Sequence, residues 1–171
     1  MTSPPAGGPV RADLELVFRA DYARVVAVAA RVLGSRDDAE DVAQEVFLAF
    51  GRSSVPAEEA PRWLSVAAVH TALNLRRSGR RRASREESVG AEAVAPDVAD
   101  DVVVLDERSR VRAALGRLPR KQAVALVLRH SGLSYADVAA ALDLAPGSIG
   151  TTVRRAESAL RKELNTHVPS D

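Results

Sequence analysis

Cysteine is absent from all 171 residues, which excludes disulfides and thiolate metal sites and fits a reducing compartment. Histidine is nearly as scarce. His70, His130 and His167 stand far apart without paired ligand spacing, and no glycine-rich phosphate loop occurs, so neither a metal site nor a cofactor is expected. No apolar run approaches bilayer length, so membrane insertion is not expected. The opening residues, Met1 to Pro9, lack the basic start and apolar run of a signal peptide, and the expected location is the cytoplasm. Strand-like alternation is missing over any useful length, which leaves an all-α fold. Catalysis finds little to work with. The nearest approach to a carboxylate pair, Asp38 with Asp41, opens a helix, where the dipole already accounts for it, and no enzyme is expected.

What the chain does have is charge in blocks. The total is only +1. Residues 1–60 carry six Arg against ten acids, and residues 61–85 carry seven Arg and no acid. Residues 86–110 then hold two Arg and eight acids, and residues 111–171 nine bases and five acids. A near-neutral sum therefore hides two basic blocks, each a candidate polyanion-binding surface, alternating with two acidic ones.

Five segments follow from composition and periodicity. Residues 1–11, rich in Pro and Gly, read as a disordered arm. Residues 12–85 form a first helical domain. Its first helix runs from about Asp13 to Leu33 on Leu14, Phe18, Val25, Val28, Ala29 and Val32, with Gly34 as the stop. Ser35 caps a second helix whose core face is Val42, Val46, Phe47 and Phe50, and a loop from Gly51 to Pro61 follows. A third helix, from about Arg62 to Arg77, turns Leu64, Ala67, Ala68, Thr71 and Leu75 inward and leads into Arg80, Arg81 and Arg82. Residues 86–105, with Glu86, Glu87, Glu92, Asp97, Asp100 and Asp101 around Gly90 and Pro96, read as a flexible acidic linker. Twenty such residues reach roughly 65–70 Å extended and about 25 Å relaxed. Residues 106–166 make a second helical domain, and 167–171 a frayed tail.

Within that second domain, Val111, Ala114, Leu115 and Leu118 form one stripe, and Ala123, Val124, Leu126 and Val127 another after Pro119. The closing stretch is the most informative. Ser134 with Asp137 has capping-box spacing, Val138, Ala139 and Leu142 give a short apolar face, and Asp143 to Ala145 make a tight turn before Pro146. The last helix then buries Ile149, Val153, Ala156, Leu160 and Leu164 and shows Ser148, Thr151, Thr152, Arg155 and Ser158 on its other side. Two short helices joined by a tight turn, the second with a small-polar and basic face, form a helix-turn-helix. Its second helix fits a DNA major groove, while the first lies across the phosphates.

These residues resemble region 4 of bacterial sigma factors of the extracytoplasmic-function (ECF) group, within the sigma-70 superfamily. The match runs through Tyr135-Ala136-Asp137-Val138-Ala139, Gly147-Ser148-Ile149-Gly150-Thr151-Thr152, Arg155-Ala156 and Leu160-Arg161-Lys162-Glu163-Leu164. Leu118-Pro119 with Gln122 is similar to the opening of that region, although Ala123 replaces its usual Arg. Gly150 stands where the group usually has Lys, and Thr152 where it usually has Arg. Residues 13–82 resemble region 2 of the same group. Asp37-Asp38-Ala39-Glu40-Asp41-Val42-Ala43-Gln44-Glu45-Val46-Phe47 is close to its acidic signature, and Arg62-Trp63-Leu64 opens what looks like its promoter-melting helix, with His70 at a usual Asn.

The resemblance implies a sigma factor that binds core RNA polymerase at the β′ clamp and β flap, directs it to promoter DNA and helps melt the −10 element. Implied −35 contacts are Ser148, Thr151, Thr152, Arg154 and Arg155, with Ser134 and Tyr135 on phosphate. Implied −10 contacts are Trp63, His70, Asn74, Arg76, Arg77 and Arg80, and Trp63 reads as a core anchor somewhat more readily than as a stacking platform. Polymerase docking falls to Asp38, Asp41, Gln44 and Glu45. An anti-sigma factor is a possible further partner. The competing reading, a helix-turn-helix regulator acting without polymerase, leaves the acidic helix and the Arg62–Arg82 block without a use.

Overall fold

Ser35 and Ser134 start helices as their spacing predicts: each side-chain oxygen accepts the backbone N–H three residues on, from Asp38 at 3.3 Å and from Asp137 at 3.1 Å. The computed structural model describes the backbone of residues 10–86 and 99–167, and the side chains of residues 10–79 and 106–167. Among the described residues are seven α-helices and no strand: α1 Leu14–Leu33, α2 Arg36–Gly51, α3 Ala60–Glu86, α4 Ala99–Arg117, α5 Arg120–His130, α6 Tyr135–Ala141 and α7 Ile149–Thr166. Most of the predicted arm, the central part of the predicted linker and the tail after residue 167 lie outside the described residues.

Helices α1, α2 and α3 pack on one another as a first unit. Gly34 ends α1 with φ 73°, a left-handed turn that a residue with a Cβ adopts at a cost, and its N–H donates to Ala30 O at 2.8 Å. Around α2 the expected face holds: Val42, Val46, Phe47 and Phe50 are all buried. Two expectations are corrected. Phe18 is 41% exposed at the rim of the core, its ring against Tyr22 and Phe47 with centroids 4.7 and 5.0 Å apart, and the neighbouring Val17 is the buried residue. On α3 the buried stripe is Leu64, Ser65, Ala68, Val69, Ala72 and Leu73, and Leu75 is exposed. Ser65 can sit inside because its hydroxyl donates to Pro61 O at 2.9 Å, which removes the cost of burying it.

The helix boundaries also differ. α3 begins at Ala60 and runs to Glu86, past the predicted end near Arg77, and α4 begins at Ala99, so residues 99–105 of the predicted linker are helical. Arg11, placed in the predicted arm, is packed as well. Arg11 donates to Val55 O at 2.7 Å and its guanidinium lies 4.1 Å from the centre of the Phe50 ring.

Helices α4 to α7 form the second unit, with α5 as its axis. Every residue from Ala123 to Leu128 is buried, the mark of a helix surrounded on all sides. α7 and α6 pack against it, and α4 against α7. The two units also touch, through α3 with α5 and through α1 with α4 and α5.

Candidate nucleic-acid interface

α6, the turn after it and α7 build the helix-turn-helix. Ser134 and Asp137 close the α6 start in both directions, since the Ser134 hydroxyl also donates to Asp137 Oδ2 at 2.8 Å. Asp143 takes a φ of 53° in the turn, and a short 3₁₀ turn over Pro146–Ser148 feeds α7. Ile149, Val153 and Ala156 are buried, and this fixes the rotation of α7. Ser148, Thr151, Arg154 and Arg155 consequently face solvent. Thr152 is half-buried and donates its hydroxyl to Ser148 O at 3.0 Å, a bond that a base edge would have to replace. Tyr135 is exposed with the Arg129 guanidinium 4.6 Å from its ring centre, which brings a cation beside the α6 start.

Gly150 is open to change. A Cβ there would meet nothing within 4 Å. Gly150→Ala is expected to raise the thermal stability of the chain by the equivalent of about 1 kcal/mol, because it restores helix propensity without a clash. Thermal melts followed by circular dichroism check this.

On α3, Trp63, His70, Asn74 and Arg77 share one helix face by their spacing. Trp63 is half-buried, with its ring 5.8 Å from Phe50, so packing uses much of it. Arg76 points elsewhere: its Nη1 donates to Val32 O at 3.2 Å at the end of α1. The Arg80 side chain lies outside the described residues.

His70 and Asn74 are brought together by a residue that sequence reasoning missed. Arg120, in the first turn of α5, donates Nη1 to Asn74 Oδ1 at 2.7 Å and Nη2 to His70 O at 3.2 Å. Its Nη2 and Nε also lie 3.0 and 3.3 Å from His70 Nδ1. A guanidinium cannot accept, so Nδ1 is the acceptor and the imidazole proton sits on Nε2. Burial, and then the charge of Arg120, lower the His70 pKa. The contact is therefore constant above the ordinary imidazole range. It weakens as pH falls through that range, because freed His70 takes up the proton that bound His70 refuses. A histidine NMR titration is expected to place His70 below the ordinary value in the intact chain and to return it toward that value in Arg120→Ala.

α2 offers a different surface. Asp38, Asp41, Gln44 and Glu45 are all exposed, opposite the buried Val42, Val46 and Phe50. Leu48, 61% exposed one turn past Gln44, extends this face with an apolar group. A shallow groove beside it is lined by Leu14, Phe18, Gln44, Phe47 and Leu48. Neither Leu48 nor Phe18 was expected to be exposed or to belong to a binding face. Alternation on a helix marks which residues are apolar, not which of them a neighbour covers.

Among the described residues, no helix is long and apolar enough to cross a membrane, and no group of three potential metal-ligating side chains converges.

Comparison with known proteins matches residues 17–82 to the family Sigma-70 region 2 and residues 108–160 to Sigma-70, region 4. The chain is 34% identical to the ECF RNA polymerase sigma factor SigK of Mycolicibacterium vanbaalenii over 148 residues, covering 82% of this chain and 76% of that protein. It is 37% identical to the ECF RNA polymerase sigma factor EcfG of Rhodopseudomonas palustris over 141 residues, covering 78% of this chain and 75% of that one. Among solved structures, the sigma factor RpoE of Bartonella quintana, determined in complex with the anti-sigma factor NepR, matches with a TM-score of 0.54. That likeness covers 91% of this chain and 99% of the other at 24% identity, and it is a likeness of fold.

Proposed function

The chain belongs to the ECF sigma factors of the sigma-70 family, and from that premise we propose which of its surfaces does what. The observation that carries the reading is the pairing of region 2 over residues 17–82 with region 4 over residues 108–160, in that order, in one short chain. As a sigma factor it recruits core RNA polymerase to promoters and assists strand opening. The exposed acidic face of α2 docks on the β′ clamp, where Asp38, Asp41 and Glu45 find basic partners and Leu48 adds apolar contact. α7 enters the major groove of the −35 element, with Ser148, Thr151 and Arg155 toward the bases and backbone and the α6 start near phosphate. The second unit meets the β flap. α3 receives the unpaired −10 strand, with His70 and Asn74 reading a splayed base and Arg77 and Arg80 following the backbone.

Arg155→Ala is expected to flatten the slope of log affinity against log salt for −35 duplex DNA by about one unit, the signature of one lost phosphate contact. The Bartonella quintana likeness makes an anti-sigma factor a natural further partner for the cleft between the units, lined by Ala27, Ala30, Val111, Leu115 and Leu126 and rimmed by Arg31 and Arg108. Gel filtration of the purified chain with core RNA polymerase tests the proposal. Comigration is the expected result, and a chain that elutes apart from polymerase as a DNA-binding dimer would refute it.

A further inference from the structure

Building on the reading of α3 as the strand-binding helix, we infer that Arg120 is a clasp between the two helical units. It occupies His70 and Asn74 and so shuts α3 to single-stranded DNA until it is drawn away. One guanidinium from the second unit supplies every hydrogen bond described for Asn74 Oδ1 and His70 Nδ1. Those are the groups an unstacked base would need. While Arg120 is in place, base and guanidinium compete for the same atoms.

Three other contacts lie along the same seam. Arg31, near the end of α1, donates to His130 O and to Ser131 Oγ, the latter at 2.9 Å. Arg112 of α4 lies against Gly34, where an added Cβ would fall 2.5 Å from its Nε. Arg62 and Asp137 approach to 4.0 Å with both side chains over a third exposed, a weak ion pair. Apart from that pair, the guanidinium hydrogen bonds described across the seam end on neutral acceptors. Such a seam holds the units together but is replaceable, because a charged acceptor outbids a carboxamide or a neutral imidazole for a guanidinium.

The load on Arg120 points the same way. Burial and the charge of nearby Arg77 on α3 both disfavour its protonated form. A phosphodiester arriving at Arg77 relieves that repulsion and offers Arg120 a charged partner in place of Asn74. The backbone of the incoming strand thus releases the clasp, and its base takes the vacated groups.

The chain has no cysteine, so cysteines introduced as Ala23→Cys on α1 and Lys162→Cys on α7, both exposed, carry a dye pair for energy transfer between the units. The binding probe is the short single-stranded non-template strand of a promoter to which the protein directs core RNA polymerase. In the free, full-length protein, Arg120→Ala is expected to lower energy transfer. It should also tighten probe binding about tenfold, as when a competent form rises from roughly a tenth of the population to nearly all of it. Arg120→Lys keeps the charge but loses the forked geometry, and it is expected to behave as Arg120→Ala with an unchanged circular-dichroism melt. Asn74→Ala is expected to lower energy transfer while weakening probe binding. Unchanged energy transfer in both Arg120 variants, or opening without any gain in probe affinity, would overturn the inference. A fault in the strand-site reading would look different: Arg120→Ala opens the chain and tightens the probe, supporting the clasp, yet Asn74→Ala binds the probe as tightly as Arg120→Ala does.

Discussion

Asp41→Arg combined with Glu45→Arg is expected to weaken binding to core RNA polymerase at least about a hundredfold, the scale on which disruption of close interfacial charge pairs is felt. Both carboxylates are exposed on one turn of α2, and neither takes part in an ion pair described for the chain. The opposite face of α2 carries the core residues Val42, Val46 and Phe50, so the reversal changes charge without touching packing. The substitutions also spare Asp37 and Asp38 in the first turn, where acids favour the helix start. The variant should therefore melt as the parent does and still bind −35 duplex DNA through α7. Binding to immobilised core polymerase, read alongside a thermal melt, checks both halves. Retained polymerase binding would remove α2 as the docking helix.

His70→Ala combined with Asn74→Ala is expected to reduce open-complex formation by roughly tenfold, the scale of one or two lost hydrogen bonds to a base. Binding of the polymerase to the closed promoter duplex should change by less than about twofold, since neither residue reads duplex DNA in this account. Permanganate reactivity of unpaired thymines reports melting, and filter binding at low temperature reports the closed complex. The substitutions also remove the partners of Arg120. Opening of the free protein and loss of melting should then appear together, a combination that a general loss of fold would not give. Equal losses in closed and open complexes would count against the −10 assignment.

Much of this organisation was legible one helix at a time. Ser35 and Ser134 cap, Gly34 and Gly132 end helices with positive φ, and the stripe Ile149, Val153 and Ala156 fixes the face that α7 presents. Each of these signals is local, carried by residues within a turn or two of one another. What the sequence hid depends on neighbours far along the chain. Which apolar residues of α3 are covered is set by the helices packed on it, so Val69 and Leu73 are buried while Leu75 is exposed, and Phe18 rests against the rim of the core at Phe47 and stays partly exposed. Arg120 is the sharpest case. In sequence it is an ordinary cation in the first turn of a helix; its partners are 46 and 50 residues away, and nothing around it names them. The same limit applies to Leu48, which reads as one more apolar residue on α2 until the packing leaves it 61% exposed beside Gln44.

The central claim is that this chain joins core RNA polymerase and opens promoters with two separate DNA contacts. Transcription in vitro with core polymerase on genomic DNA from the same organism, with start sites mapped, tests it most directly. The account predicts discrete start sites that appear only when the chain is added, each preceded by shared −35 and −10 elements at fixed spacing, and their loss with Asp41→Arg and Glu45→Arg. Start sites identical with and without the chain would contradict it.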